Sequence, residues 1–246
     1  MQGRAYCFFT LIGLILGNSG VQAESSRNTL TPKEAESGWE MLWDGKSSNG
    51  WRAIDQASFP GSGWVIEDGL LICLGEELPD EQRGGAIVTA RKYGSFELAW
   101  EFKIQAGANS GIKYFVDEGL KASKGHGLGL EFAILDDTNF PYEDRAAKRT
   151  CGSLYDLVKA APGATRPVGA WNQGRILVRA NQIEHWLNGK RVVQVEKGSP
   201  HYYDLVSKSK YKNIKGWGEV VRGHILIQDE GPKTLFRNIK IRPLDG

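Results

Sequence analysis

The sequence predicts an all-β fold, a β-sandwich of two antiparallel sheets in the jelly-roll manner. Three observations carry this. About a dozen short apolar-alternating runs recur at regular spacing, Gly, Asn and Asp turns separate them, and helical periodicity is scarce. A mature chain of about 220 residues suits one such sandwich with a full core.

The first residues stand apart. Arg4 precedes an apolar run from Tyr6 to Leu16, and Val21-Gln22-Ala23 forms a small-residue cleavage site, so residues 1–23 read as a secretory signal peptide. Export to the periplasm or the extracellular space is expected, with cleavage near Ala23 and no later membrane-spanning run. Residues 24–37 are a polar, flexible lead-in in which Thr31-Pro32-Lys33-Glu34 can make one helical turn. The domain proper spans 38–246. Its first strands lie in GWEMLWDGKSSNGWRAI, and GSGWVIEDGLLICLG is a hairpin turned at Glu67-Asp68-Gly69. GGAIVT adds a strand. Phe96–Gln105, Ser110–Val116 and Gly129–Leu135 form the central set, with Phe96, Leu98, Trp100, Phe102 and Ile104 on one face of the first.

Residues 137–170 interrupt the strand rhythm, with a short helical segment expected around Ser153–Ala160, and loops this long within a compact domain tend to be functional or mobile. RILVRAN and QIEHWLNGKRVVQVE follow, the latter a hairpin turned at Asn188-Gly189. SPHYYDLVSKSKYK suggests one helical turn, and GHILIQDEG and LFRNIKIRPL close the chain. Most of the eight tryptophans are expected in the core.

The whole chain carries 31 basic and 29 acidic side chains, and losing Arg4 with the leader reduces the net charge from +2 to +1. Nucleic-acid and anionic-membrane partners need a basic excess that is missing here. Cys73 and Cys151 survive in the mature chain and can pair if their geometry allows, but they make no disulfide framework. The sequence does not set the oligomeric state.

No Gly-x-Ser-x-Gly elbow, phosphate-binding glycine loop or HExxH motif occurs, and His126, His185, His201 and His224 lack metal-ligand spacing. No cofactor is expected; calcium, held by carboxylates and carbonyls without a sequence signature, stays open. The better lead is polar groups on central strands: Glu101, Asn109, Ser110, Lys113 and Glu131, with Asp136 joining them if a bulge intervenes. A solvated sheet face explains Glu131 about as well as a functional role does; its neighbours Asn109, Lys113 and the 137–170 loop favour function. His185, beside a tight turn, faces away from the core if Trp186 faces in, and is a second candidate base. Gln228 can bind hydroxyls, whereas Asp229 and Glu230 suit the turn that follows.

Glu131-Phe132-Ala133-Ile134-Leu135-Asp136 is similar to the Glu-x-Asp-x-x-Glu strand of retaining glucanases built on the concanavalin-like jelly roll, but Ala133 replaces the middle acid and speaks against two-carboxylate hydrolysis. More extensively, over about 38–244, the chain resembles the 3-keto-disaccharide hydrolase family. GWEMLWDGKSSNGW, NSGIKYF, GLEFAILDD, GSLYDL, HWLNGK, GHILIQDEG and FRNIKIRPL carry the resemblance in their order and spacing. It implies a concanavalin A-like, laminin-G-like jelly roll that cleaves glycosides whose glucose C3 is a ketone. The ketone acidifies C2–H, so a base can expel the anomeric group by elimination and water can then add. Glu131 or His185 is the expected base, and Lys113 with Asn109 the expected enolate or hydroxyl ligands; Glu101, Ser110, Asp136, Tyr155 and Gln228 are expected around the carbohydrate. One departure is visible: the resemblance leads to a histidine after Gln228-Asp229, and Glu230 stands there. A lectin-like carbohydrate-binding module on the same fold, needing no base, is the competing reading.

Overall fold

The structure, a computed structural model, describes residues 27–123, 126–139 and 148–245. The expected leader lies outside the described residues, as do 140–147 of the long loop.

The described chain opens with a one-turn helix, α1 (Pro32–Glu36), started by a reciprocal capping box between Thr31 and Glu34. The strands follow as β1 (Glu40–Met41), β2 (Trp51–Ala53), β3 (Trp64–Glu67), β4 (Leu70–Cys73), β5 (Ile87–Thr89), β6 (Phe96–Ile104), β7 (Asn109–Val116), β8 (Lys121–Ser123), β9 (His126–Gly127), β10 (Leu130–Leu135), β11 (Asn172–Arg179), β12 (Gln182–Leu187) and β13 (Lys190–Glu196). Helix α2 (Pro200–Ser207), then β14 (His224–Ile227) and β15 (Thr234–Pro243), complete the chain. One sheet has eight strands in the order β13-β12-β11-β6-β15-β4-β3, with β1 also on β15. The second has five, in the order β10-β7-β14-β5-β2, and every pairing is antiparallel. This is the expected two-sheet jelly-roll sandwich.

Both predicted hairpins form. Asp68 and Gly69 have φ of 50° and 69°, and Asn188 and Gly189 have φ of 50° and 81°, the left-handed pairs that a two-residue turn between twisted strands requires. The 24–37 lead-in is docked where it is described. Asn28 exchanges hydrogen bonds with Asn238 through backbone N–H and side-chain Oδ1 in both directions, at 2.7 and 2.8 Å, and its Nδ2 donates to Gly69 O. The helical segment expected at Ser153–Ala160 is instead a series of turns, held by bridges from Leu154 to Phe132 and to Val158. These continue the five-stranded sheet past the edge of β10, so the residues satisfy their backbone by pairing rather than by coiling.

The core lies between the sheets and is aromatic. Trp100 meets Phe132 edge-on at 4.9 Å, and Phe96 meets Tyr114 and Phe115 at 6.0 and 6.2 Å; such pairs add about 0.5–1.5 kcal/mol each beyond their area burial. Gly174 sits under Trp100, where a Cβ would lie 2.3 Å from the indole. Trp43, Trp51, Trp64, Trp100 and Trp217 are buried, as expected of most of the eight. Cys73 and Cys151 are buried free thiols rather than a disulfide. Phe115, with φ of 56°, is a bulge that puts both Tyr114 and Phe115 into the core and returns Val116 to the other face.

Candidate active site

The five-stranded sheet has a second face, turned from the core, and strand parity decides what lies on it. On β10, Leu130, Phe132 and Ile134 enter the core, which leaves Glu131, Ala133 and Leu135 on the outer face. On β7, Ile112 and Tyr114 enter the core, leaving Asn109, Gly111 and Lys113 outside. The register pairs Glu131 directly with Lys113, and Lys113 with Leu226 of β14. Gln228 follows β14 with its N–H on Gly111 O.

Two segments wall this strip into a hollow. Tyr155 N–H donates to Glu131 O at 3.0 Å, which seats the turn segment beside the carboxylate. The stretch after α2 supplies Lys210, Tyr211 and Ile214; Lys210 N–H is fixed to Asp156 Oδ2, and Tyr211 stacks on Trp217 at 4.0 Å with the rings 9° from parallel. The cavity has a volume of about 320 Å³, with Asn109, Lys113, Glu131, Tyr155, Gln228 and Glu230 among its linings.

Its electrostatics centre on Glu131, which is only 6% exposed. Burial strips water from the carboxylate and pushes its pKa up to about 7. Lys113 opposes the shift and nearby Glu230 adds to it, while Lys210 and Arg149 oppose it more weakly. The Lys113 ammonium lies 3.9 Å from Glu131 Oε2 and donates to Gly127 O at 3.2 Å, so it neighbours the carboxylate without a short ion pair. Burial also lowers Lys210, whose ammonium lies over the Tyr155 and Tyr211 rings at 4.6 and 5.1 Å. Tyr155 is pushed up to about 12, by burial first and the Glu131 charge second. Gln228 Nε2 donates to Glu230 Oε1 at 3.1 Å, and Gln228 Oε1 is buried without a hydrogen-bond partner among the described residues. The site therefore offers a carboxylate able to take a proton near neutrality, two ammonium groups, a buried amide acceptor and aromatic walls. No cluster of three or more His, Cys, Asp or Glu placed to hold a metal ion occurs among the described residues.

Of the residues expected from sequence, Glu131, Lys113, Asn109, Tyr155 and Gln228 are brought together here. Four are placed elsewhere. His185 is 0% exposed between the sheets, with Nδ1–H on Gly152 O and Nε2 facing the Tyr114 hydroxyl, both at 3.0 Å, and burial lowers its pKa to about 4. It is a neutral core residue on the opposite side of the five-stranded sheet from the hollow, against Tyr114 and Phe132, because Ile183, His185 and Leu187 share the core face and the half-buried Trp186 takes the outer one. Glu101 belongs to β6 of the other sheet and is held on its outer surface by Arg237 Nε at 2.7 Å. Ser110 has the parity of Ile112 and is buried at the core side. Asp136 accepts from the N–H groups of Gly107 and Thr138 and from Asn139 Nδ2, so it fastens turns at the end of β10. Lys210 and Tyr211 escaped sequence reasoning; the available signal was an aromatic pair, Tyr211 and Trp217, within an otherwise polar stretch.

Known proteins agree with this architecture. Residues 38–242 match the 3-keto-alpha-glucoside-1,2-lyase-like domain. A 3-keto-disaccharide hydrolase of Bacteroides thetaiotaomicron is 33% identical over 238 residues, covering 87% of this chain and 81% of that protein. Two crystal structures of candidate glycosyl hydrolases from Parabacteroides distasonis are similar. One has a TM-score of 0.79 at 28% identity, over 89% of this chain and 100% of that one; the other has 0.61 at 26%, over 80% and 100%. The match across nearly the whole sandwich means that the chain belongs to the 3-keto-alpha-glucoside-1,2-lyase-like family.

Proposed function

We propose that this protein is an exported glycosidase that cleaves 3-keto-glucosides and 3-keto-disaccharides by proton abstraction at C2, elimination and hydration. One observation carries the reading: a carboxylate with a pKa of about 7 is buried in a sugar-sized hollow beside an ammonium group. A base of that strength, Glu131, suits a carbon acid activated by a neighbouring ketone. Glu131 takes the proton from C2, and the C–H electrons form a C2=C3 enolate whose negative oxygen lies against Lys113 or Lys210. The enolate collapses to restore the C3 ketone, forms a C1=C2 double bond and expels the anomeric oxygen, which takes up a proton. Water then adds across the double bond, with its oxygen at C1 and a proton at C2, giving the free 3-keto sugar. Asn109 and Gln228 serve the ring hydroxyls, and Tyr155 and Tyr211 its faces. Membership of a 3-keto-alpha-glucoside-1,2-lyase-like family supports an elimination between C1 and C2, and similarity to a 3-keto-disaccharide hydrolase of Bacteroides supports a disaccharide substrate.

The test is ketone dependence. Purified protein is expected to release the leaving group from a 3-keto-glucoside and to leave the matching unoxidised glucoside intact. Cleavage of the unoxidised substrate would assign an ordinary glucanase, and saturable binding without turnover would assign a carbohydrate-binding module. Export rests on the leader read at residues 1–23; N-terminal sequencing of the mature protein is expected to begin at Glu24, and an intact Met1 would remove that part.

A further inference from the structure

A second chamber of about 360 Å³ adjoins the Glu131 hollow. The two share Lys113, Gly127, Gln228 and Glu230 as common walls. Each lies at the small end of the about 300–1,000 Å³ range of small-ligand pockets, and together they suit two joined rings. The linings differ in kind. The first chamber holds Glu131 with the two tyrosines. Among the described residues the second has no aromatic lining and is walled by Asp80, Arg83 and Asp229 over a floor that includes Ala86 and Leu226.

We propose that the second chamber is the subsite for the leaving group, that Arg83 selects a hydroxylated, sugar-like group there, and that the scissile oxygen sits at the shared wall beside Lys113. The proposal rests on the 3-keto-glycoside reading for the identity of the ring in the first chamber. A base that acts on C2 fixes that ring next to Glu131, and the walls that the two chambers share among the described residues give the departing C1–O oxygen a direct way into the second chamber. Gln228 supports the junction: it is 5% exposed, lines both chambers, and its Oε1 has no partner among the described residues. A buried acceptor of that kind is satisfied by a ligand hydroxyl. Asp229 is already used, accepting from Gly85 N–H at 2.9 Å and from the Cys73 thiol at 3.1 Å, so it shapes the chamber rather than reading the ligand. Arg83 has capacity to read it. Of its five N–H donors, one contacts Leu78 O at 3.4 Å and one reaches Asp80 Oδ1 at 3.2 Å, and Asp80 is itself largely exposed. The charged lining favours a leaving group that carries several hydroxyls.

The test compares two substrates with the same oxidised ring: a 3-keto-glucosyl-glucose disaccharide, and the methyl 3-keto-glucoside, whose leaving group is too small to fill the chamber. Arg83→Ala is expected to reduce the ratio of kcat/KM between disaccharide and methyl glycoside roughly ten- to hundredfold, the range for losing hydrogen bonds from a charged group. An unchanged ratio overturns the proposal. Titration with glucose alone, followed by NMR, reads the chamber without turnover. Saturable binding to the parent protein and to Glu131→Gln, weakened at least tenfold in Arg83→Ala, is expected. No saturable binding to the parent, or equal affinity in Arg83→Ala, overturns the subsite. If the parent cleaves neither substrate, the 3-keto reading falls and the glucose titration alone decides the chamber.

Discussion

Glu131→Gln is expected to lower kcat on a 3-keto-glucoside by about 10²- to 10⁴-fold, the usual contribution of a positioned base, and at the same time to make the protein more stable in alkaline solution. Both effects have one origin. Burial raises the Glu131 carboxyl from its ordinary value to about 7. Between pH 4.5 and 7 the folded protein keeps a proton that the unfolded chain has released, so the parent loses stability as pH rises through that window and the loss is complete above it. Glutamine has nearly the same shape and no charge to strand. The stability gap between variant and parent should therefore be small at pH 5 and grow to on the order of 3 kcal/mol by pH 8 to 9, roughly 5–10 °C in Tm for a domain of this size. The parent's kcat should rise with pH on an acid limb centred near 7 and flatten above it. Thermal melts at several pH values and a pH–rate profile measure all of this. A rate loss below tenfold removes Glu131 as the base, and a stability gap independent of pH removes its raised proton affinity.

How much of this was legible in the sequence depends on what strand alternation encodes. It placed the alternating faces of β6 and put Glu131 with Ala133 on one face of β10, because apolar neighbours on both sides fix the parity of these strands; that Glu131 pairs directly with Lys113 is a matter of register that only the structure supplies. Alternation does not say which sheet a strand joins. Glu101 has the same alternation as a residue in the hollow, yet β6 joins the eight-stranded sheet and turns its polar face away from the site. His185 failed for a different reason. Trp186 is amphipathic and sits half-buried on the outer face under the Arg175 guanidinium, 4.5 Å from its ring centre, so taking Trp as the core residue reversed the parity of the strand. Ser110 differs in parity from its neighbour Asn109 by one position, and Asp136 lies past the end of its strand, where alternation no longer applies. Lys210 and Tyr211 reach the site through tertiary packing: Lys210 N–H is held by Asp156, more than fifty residues away, and the stacking of Tyr211 on Trp217 six residues on follows no helix or strand period. The Glu230 that stands where a histidine was expected lines both chambers and raises the proton affinity of Glu131, so the departure bears on the site rather than only on a turn.

Gly111→Ala is expected to cut kcat/KM by about 10²-fold while the sandwich stays folded. Gly111 lies on β7 between Asn109 and Lys113, in register with Ala133, and its missing side chain points at the working groups. A Cβ there would sit 2.3 Å from Gln228 Oε1, 3.0 Å from Glu131 Oε1 and 3.1 Å from Glu131 Cγ. The first of these is shorter than real Cβ contacts, so the Gln228 amide has to move, and the other two are tight enough that the Glu131 side chain has to give by a few tenths of an ångström. Each is the movable end of a long side chain, and Gly111 does not have a left-handed φ, so the strand can accept alanine while the carboxylate and the amide swing aside. Glycine inside a strand often marks such a close approach. The energetic balance on folding is small, because relieving the contact offsets the gain of roughly 0.4–1 kcal/mol from a less flexible unfolded chain, and Tm should shift by only a few degrees. Activity should respond far more, since misplacing a reacting group by about 1 Å can cost 10²-fold. Combining the variant with Gln228→Ala removes the nearer obstacle but leaves the two Glu131 contacts, so it should recover part of the loss if displacement of Gln228 contributes to it. A Gly111→Ala protein with more than a third of the parent's activity would show that Glu131 and Gln228 do not act from the positions they hold here, and the base would have to be sought elsewhere on this face.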